Sequence, residues 1–228
     1  MRPLTEHTPK PLLCVGGDPL IVWHLYKLKA AGIEHVIINT SWLADAFPKM
    51  LGDGKAFGLH IDYLYEGPRP LETGGGMQNA CAYLGAEPFI VVNGDIWTDY
   101  DFTCLPGIGS VVAHLVLVSP PPHAPQGDFY LNEEGYLSAT GGQCLTYAGI
   151  GVFRPECVLH ERVALDTLSS ASVRPYRLAP VLHAHVQKGR ITGEKYNGRW
   201  CDVGTPERLH ELDSQLRYEG CRAGDACF

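Results

Sequence analysis

The feature that most constrains this chain is Phe89-Ile-Val-Val-Asn-Gly-Asp95, a short apolar run rich in β-branched residues that ends in an acidic turn and continues as Ile-Trp-Thr-Asp99. Such a run suits a strand of a parallel sheet covered on both faces, and ligands of open α/β sheets collect just beyond the carboxyl ends of such strands. Asn93-Gly94-Asp95 stands at that place. Gly94 lets the backbone turn sharply and approach a ligand, and Asp95 offers hard oxygen atoms suited to Mg²⁺. An ordinary aspartate turn fits the same residues, so the remaining segments must decide between the two.

The surrounding pattern alternates helix and strand. Asp18-Pro19 reads as an N-cap followed by the first helical position, Gly32 as the stop, and Ile21, Val22, Leu25 and Leu28 recur between them at helical spacing. Residues 33–39 then read as a buried strand, 42–51 as a helix and 59–65 as a strand, which together imply a right-handed parallel crossover. Leu71-Glu72-Thr73-Gly74-Gly75-Gly76 opens a helix with Thr73 as its cap and Met77, Ala80, Cys81 and Leu84 on one face. Glycines in a first turn cost about 1 kcal/mol each against alanine. Either a ligand approaches the backbone N–H groups there or a tight packing contact demands them.

Residues 111–118 read as another apolar strand and 129–131 with 136–138 as a hairpin. A longer strand follows over 144–153, containing Gly149 and Gly151 where the backbone can lie against a ligand. These form an antiparallel addition to the parallel sheet, followed by a helix over 177–188 and an extended stretch over 191–196. Trp200-Cys-Asp202-Val-Gly204-Thr205-Pro206 ends a strand in an aspartate, turns on glycine and caps a terminal helix reaching to about Tyr218. Asp202 thus repeats the setting of Asp95. Two carboxylates brought together hold one Mg²⁺ far better than one does, although two unrelated turn aspartates fit the spacing as well. Near the start, Pro9 and Pro11 flank Lys10, so that stretch is expected to run extended and stiff, presenting an ammonium to a phosphate or simply to solvent.

Composition removes other classes. A formal net charge of -7 gives no basic field for nucleic acid. No apolar run approaches the ~20 residues of a membrane span, and no charged stretch followed by an apolar one opens the chain, so a cytoplasmic protein with neither nucleic-acid nor membrane partners is expected. The eight cysteines, Cys227 among them, form no C-x-x-C pair and read as reduced thiols. The ten histidines are scattered; His183 and His185 sit two apart on a helix, on different faces, and none suggests a metal site.

R-P-L-T-x-x-T-P-K-P-L over residues 2–12, L-E-T-G-G-G over 71–76, V-N-G-D over 92–95 and W-x-D-V-G-T over 200–205 occur in the order found in sugar-1-phosphate nucleotidyltransferases, which the chain resembles over nearly its whole length. Glu72 in the glycine-rich stretch, the Gly127-Asp128-Phe129 segment and the compact carboxyl end are most similar to the branch that takes N-acetylmuramate-1-phosphate and UTP. The resemblance implies an α/β fold: a Rossmann-like mixed, mainly parallel sheet flanked by helices, in one domain spanning residues 1–228. It makes Asp95 and Asp202 the Mg²⁺ ligands and Lys10 a contact to the nucleotide phosphates. Glu72, Thr73 and Gly74 would border the nucleobase and Asn93 the ribose, with Asp128, Tyr147 and Gly149 facing the sugar phosphate.

The family's first strand and its L-A-A-G-x-G-x-R loop precede the arginine-proline stretch and have no counterpart in residues 1–228. Either the start is assigned too late, which is the expectation, or this form is truncated, and the chain as numbered is expected to bind nucleotide weakly or not at all. A mannose-1-phosphate guanylyltransferase, or a catalytically silent nucleotide-sugar-binding protein, remains the alternative. Oligomeric state is not legible.

Overall fold

The computed structural model describes residues 1–159 and 173–225. Its elements in chain order are β1 (Cys14–Val15), β2 (Asp18–Pro19), α1 (Leu20–Ala30), β3 (His35–Thr40), α2 (Ala46–Leu51) and β4 (His60–Tyr65). There follow α3 (Glu72–Leu84), β5 (Phe89–Val92), β6 (Ile96–Thr98), β7 (Ala113–Val118), β8 (Phe129–Leu131), β9 (Leu137–Ser138) and β10 (Gln143–Phe153). The last are α4 (Leu178–Val186), β11 (Ile191–Lys195), β12 (Trp200–Asp202) and α5 (Pro206–Glu219). No described helix is long and apolar enough to cross a membrane.

The chain divides into two compact units. The first gathers Met1–Arg69, Asn93–Cys104 and Gly198–Phe228; the second gathers Pro70–Val92 and Leu105–Asn197. In the first, β3 and β4 pair in parallel with His35 opposite His60, the geometry expected of a strand–helix–strand crossover. Alternation sends Ile38 and Ile61 into a core with Leu12, Ile21, Val22, Leu25, Phe47 and Leu51. A second cluster, Val15, Leu20, Trp23, Trp97, Val203, Leu212 and Leu216, packs α5 against β1, with Trp23 and Trp97 edge to face at 5.8 Å. Asp18 does not cap α1 as expected. It lies in β2, where its Oδ2 accepts from the Ala223 N–H at 3.1 Å, and the helix begins two residues later.

The second unit holds a mixed sheet in the order β11-β7-β10-β8-β9, with β5 on the other side of β10. The wholly buried β7 is its spine; β11 joins it in parallel, and β10 joins β7, β5 and β8 antiparallel. A mixed sheet is as expected, but parallel ladders among the described residues are confined to β3/β4 and β7/β11. The Phe89 strand in particular pairs antiparallel with β10 and is half-buried along its length, not parallel and covered on both faces. Its hydrophobicity reported burial of one face against the core of Phe153, Leu115 and Met77. Periodicity over four residues cannot distinguish that from burial on both.

Candidate active site

Three segments of the first unit meet at the residues singled out by sequence. Lys10 does not lie on an extended run: Lys10–Leu12 forms one 3₁₀ turn, with the Leu12 N–H donating to Pro9 O at 2.9 Å and the Leu13 N–H to Lys10 O at 3.1 Å. Pro11 is tolerated because the first N–H groups of a turn have no partner within it. From that turn the Lys10 Nζ donates to Asp95 Oδ2 at 2.9 Å. Gly94 is explained by the same contact. Its φ is not positive, but a Cβ there would come within 2.9 Å of Pro11 Cγ, so glycine lets the Asn93-Gly94-Asp95 turn close on the proline beside Lys10.

Asp202 arrives from the other end of the sequence. β12 pairs antiparallel with β6, placing Asp202 opposite Ile96, and the Val203 N–H donates to Asp95 O at 2.8 Å. The two aspartates therefore sit at neighbouring strand ends. Asp202 Oδ1 accepts from the Arg208 guanidinium at 2.6 Å. Gly204 makes room for that guanidinium, since a Cβ at 204 would collide with Arg208 Nη2. Thr205 and Pro206 start α5 as expected, the Thr205 hydroxyl accepting from the Arg208 N–H, and this fixes the first turn that carries Arg208. A cavity of about 550 Å³ opens beside these residues, lined by Arg2, Thr5, Glu6, Lys10, Trp42 and Gly204 among others.

Sequence reasoning missed the residues that hold this arrangement from behind. His24 and Lys27 lie one turn apart on α1, buried among its apolar residues. His24 Nε2 bonds Ile96 O at 2.9 Å, and Lys27 Nζ donates to Thr98 O at 2.6 Å and Tyr100 O at 3.2 Å. Together they tie down the segment that follows Asp95. Burial pushes the His24 imidazole down to about 4, the Ile96 carbonyl opposing that in part, and burial pushes the Lys27 ammonium down to about 8 against the raising influence of Asp99 and Asp101. Two polar residues at helical spacing inside an apolar stripe were the available signal. Arg208 had one as well: a cation in the first turn of α5, where the helix dipole does not favour it, needs an anion nearby.

The remaining candidates, Asn93 apart, belong to the second unit. Thr73 is not a cap: α3 begins at Glu72, Leu71 precedes it, and no side chain caps the turn. Glu72 has φ +60, a left-handed conformation that costs a non-glycine residue about 1–3 kcal/mol. The neighbouring residues fix it there. The Gly74 and Gly75 N–H groups donate to Tyr176 O at 3.1 and 3.2 Å, and the Tyr176 N–H donates back to Leu71 O at 3.1 Å. A Cβ at Gly74 would run into the Tyr176 ring. Packing thus accounts for Gly74, and for Gly75, where a Cβ would come within 2.9 Å of Arg174 O. Asp128 and Tyr147 are brought together, the Asp128 carboxylate accepting from the Tyr147 N–H at 2.9 Å, while burial raises the Tyr147 phenol well above its ordinary range. Gly149 has φ +77 at an irregularity in the β10/β7 pairing between Tyr147 and Gly151, a bulge that requires glycine. Asn93 lies half-buried in the turn before Asp95.

Of the cysteines, Cys14, Cys81, Cys104, Cys144, Cys157, Cys201 and Cys221 are free thiols, and Cys227 lies outside the described residues. His183 and His185 lie on α4, where His185 Nε2 contacts Cys157 O. The expectation that no histidines gather fails for His35 and His60, which approach one another and Asp62 across β3 and β4.

A lysine on an aspartate beside a second strand-end aspartate, on an α/β framework, sets a cation and hard oxygen donors side by side. The chain belongs to the nucleotidyl transferase family, whose model matches residues 1–106. It is 45% identical over 221 residues to the N-acetylmuramate alpha-1-phosphate uridylyltransferase of Neisseria meningitidis, covering 94% of this chain and 92% of that protein. It is 30% identical over 231 residues to the enzyme of the same name from Caulobacter vibrioides, covering 95% and 91%. The fold is shared with the crystal structure of a protein described as a putative glucose-1-phosphate thymidylyltransferase from Bacillus anthracis, in complex with sucrose, at TM-score 0.73 and 20% identity, covering 95% of this chain and 90% of that one.

Proposed function

We propose that this chain is a uridylyltransferase that converts UTP and N-acetylmuramate-1-phosphate into the UDP-sugar and pyrophosphate. The observation that carries the reading is the meeting of Lys10 with Asp95 beside the Asp202 strand end, in a chain that aligns with 92% of a relative of that name. A phosphate oxygen of the sugar-1-phosphate attacks the α-phosphorus of UTP, the bond from the α-phosphorus to the bridging oxygen breaks, and pyrophosphate leaves. The nucleophile is already an anion, so no general base is required. What the protein must supply is in-line positioning and charge neutralisation.

The residues fit that task. Asp95 and Asp202 present hard carboxylate oxygens from adjacent strand ends, and these are the groups that would hold Mg²⁺. The ion, when bound, neutralises charge on the transferred phosphate. Lys10 is 30% exposed at its side chain and Asp95 45%, so their pair is weak enough to be exchanged for a phosphate and a metal. Lys10 then moves from a carboxylate to a phosphate oxygen without leaving its turn. Arg208 orients Asp202 through a bond to one oxygen. Arg2, in the wall of the cavity beside Lys10, adds a second cation to the triphosphate side. Glu72 and Thr73 serve the base, with Gly74 holding their turn against Tyr176, Asn93 serves the ribose, and Asp128, Tyr147 and Gly149 the sugar phosphate, the strained Glu72 backbone supporting a recognition role.

With those two substrates, the same reading makes this a cytoplasmic enzyme of cell-wall precursor recovery. The test is pyrophosphate release from purified protein given UTP or GTP with N-acetylmuramate-1-phosphate or mannose-1-phosphate, with and without Mg²⁺. Turnover confined to UTP, N-acetylmuramate-1-phosphate and Mg²⁺ is expected. Turnover with GTP and mannose-1-phosphate alone would replace the reading with a guanylyltransferase, and nucleotide-sugar binding without turnover would make it a binding protein.

A further inference from the structure

On the solvent face of the parallel pair in the first unit, two imidazoles and a carboxylate converge. His60 and Asp62 lie two apart on β4 and so point to the same side, and the register sets His35 of β3 directly opposite His60. His35 Nε2 lies 2.8 Å from Asp62 Oδ2, His60 Nε2 lies 3.5 Å from Asp62 Oδ1, and the two rings are 5.3 Å apart. The three ligand atoms all fall within 4.8 Å of one another. The opposite face of the same strands carries Ile38 and Ile61 into the core, so the backbone that presents the trio is anchored.

We propose that His35, His60 and Asp62 form a binding site for one divalent transition-metal ion of the zinc type. Two neutral imidazoles with one carboxylate is a donor set that suits Zn²⁺, Ni²⁺ or Cu²⁺, whereas Mg²⁺ takes oxygen ligands. Both histidines face Asp62 through Nε2, leaving Nδ1 to carry the proton in the tautomer a metal requires. Drawing the donors to bonding distances of about 2.0–2.1 Å needs only side-chain rotation, since all three residues are exposed. On binding, the ion replaces the hydrogen bond between His35 Nε2 and Asp62 Oδ2. Solvent completes the coordination, and the bound ion cross-links β3 to β4 at the ends where both strands begin. Those ends are opposite to the carboxyl ends where sheets of this type take their substrates, so the site is a structural clip separate from the transfer chemistry and independent of the proposed reaction.

The test is calorimetric titration of Zn²⁺ into untagged, metal-free protein in buffer containing Mg²⁺, with thermal melts alongside. One ion per chain is expected to bind and to raise Tm, by on the order of 5 °C at a hundredfold excess over Kd. His35→Ala and His60→Ala should each weaken binding at least tenfold, because loss of mere outer-shell partners of a metal already costs about 10- to 100-fold. Asp62→Asn should weaken it in the same direction. The variants leave exposed positions, so melts without metal should coincide with that of the parent. Exposed Cys14 and Cys104 are the competing ligands, and Co²⁺ substitution separates them. Weak d–d bands without a thiolate charge-transfer band support the histidine site. A thiolate band, an isotherm unchanged in the His35→Ala, His60→Ala double variant, or no binding at millimolar Zn²⁺ overturns it.

Discussion

The two glycine motifs of this protein look alike in sequence and serve different ends. In the first unit, Gly94 and Gly204 bring charged groups together while leaving them partly open: Lys10 on Asp95 and Arg208 on Asp202. In the second, the Tyr176 carbonyl takes the N–H groups of both Gly74 and Gly75, its ring fills the space a Cβ would need at Gly74, and Arg174 O and Leu71 fill it at Gly75. The first arrangement leaves bonds that a ligand can exchange; the second spends them inside the protein. The lesson is that a glycine cluster reports close approach without saying of what.

That contrast makes quantitative demands. If the first motif is the catalytic one, Asp95→Asn or Asp202→Asn should cut UTP turnover about a thousandfold, equivalent to ~4 kcal/mol of transition-state stabilisation, with melts little changed. Turnover within tenfold of the parent in both variants would break the comparison at its base. The support behind the motif should show in acid. His24 is held at about 4, below its ordinary value near 6.5 in the unfolded chain. Its contribution is therefore complete above about pH 6.5 and is lost as pH falls to about 4, a total of about 3 kcal/mol with no further loss from this group below that. Denaturant titrations across this range should show the corresponding slope in the parent and a flatter one in His24→Gln; identical slopes would remove His24 from the account.

Lys10→Ala should lower turnover about a hundredfold, as removal of one donor to developing charge does elsewhere, with Tm unmoved. Lys10→Arg should recover only part of the loss, because a planar fork does not reproduce a compact ammonium. An unaltered rate in Lys10→Ala returns it to the role of a surface lysine. The smallest expected effect belongs to the second motif. Gly74→Ala should cost about 1–3 kcal/mol of stability through overpacking against Tyr176 while KM for UTP stays within a few fold. A KM that rises tenfold or more at unchanged stability would show that a ligand, too, needs that space.

The parts legible in sequence were those set by local chemistry. The Thr205-Pro206 start of α5, the β3–α2–β4 unit and the matching settings of Asp95 and Asp202 follow from caps, periodicity and turn glycines, which act over a few residues. What escaped was decided by distant neighbours. Nothing near Phe89 states that its partner is the antiparallel strand 143–153, and nothing near Thr73 states that Tyr176 will supply the bonds a cap would have made. His35 and His60 illustrate the same limit, being separated by a helix and united only by register. The turn at Lys10 was misread for a different reason. The proline rule describes an average preference, and here the packing of Pro11 on Gly94 outweighs it.

The three-part composition of the first unit also orders events in time. Its closing contacts join residues very far apart: the Gly16 N–H donates to Asp213 across 197 positions, and the Ala223 N–H to Asp18 across 205. Contacts of that separation pay the loop entropy of the whole intervening chain before they return anything, and they are the slow ones. On a ribosome, the pair of strands 35–40 and 60–65 and the sheet spanning 89–195 can assemble while the tail is still being made. Asp202 cannot stand beside Asp95 until β12 and α5 have emerged and docked. The nascent chain is thus barred from gathering its two acidic groups until residues 200–219 have been made, so synthesis itself times the moment at which the proposed chemistry can begin.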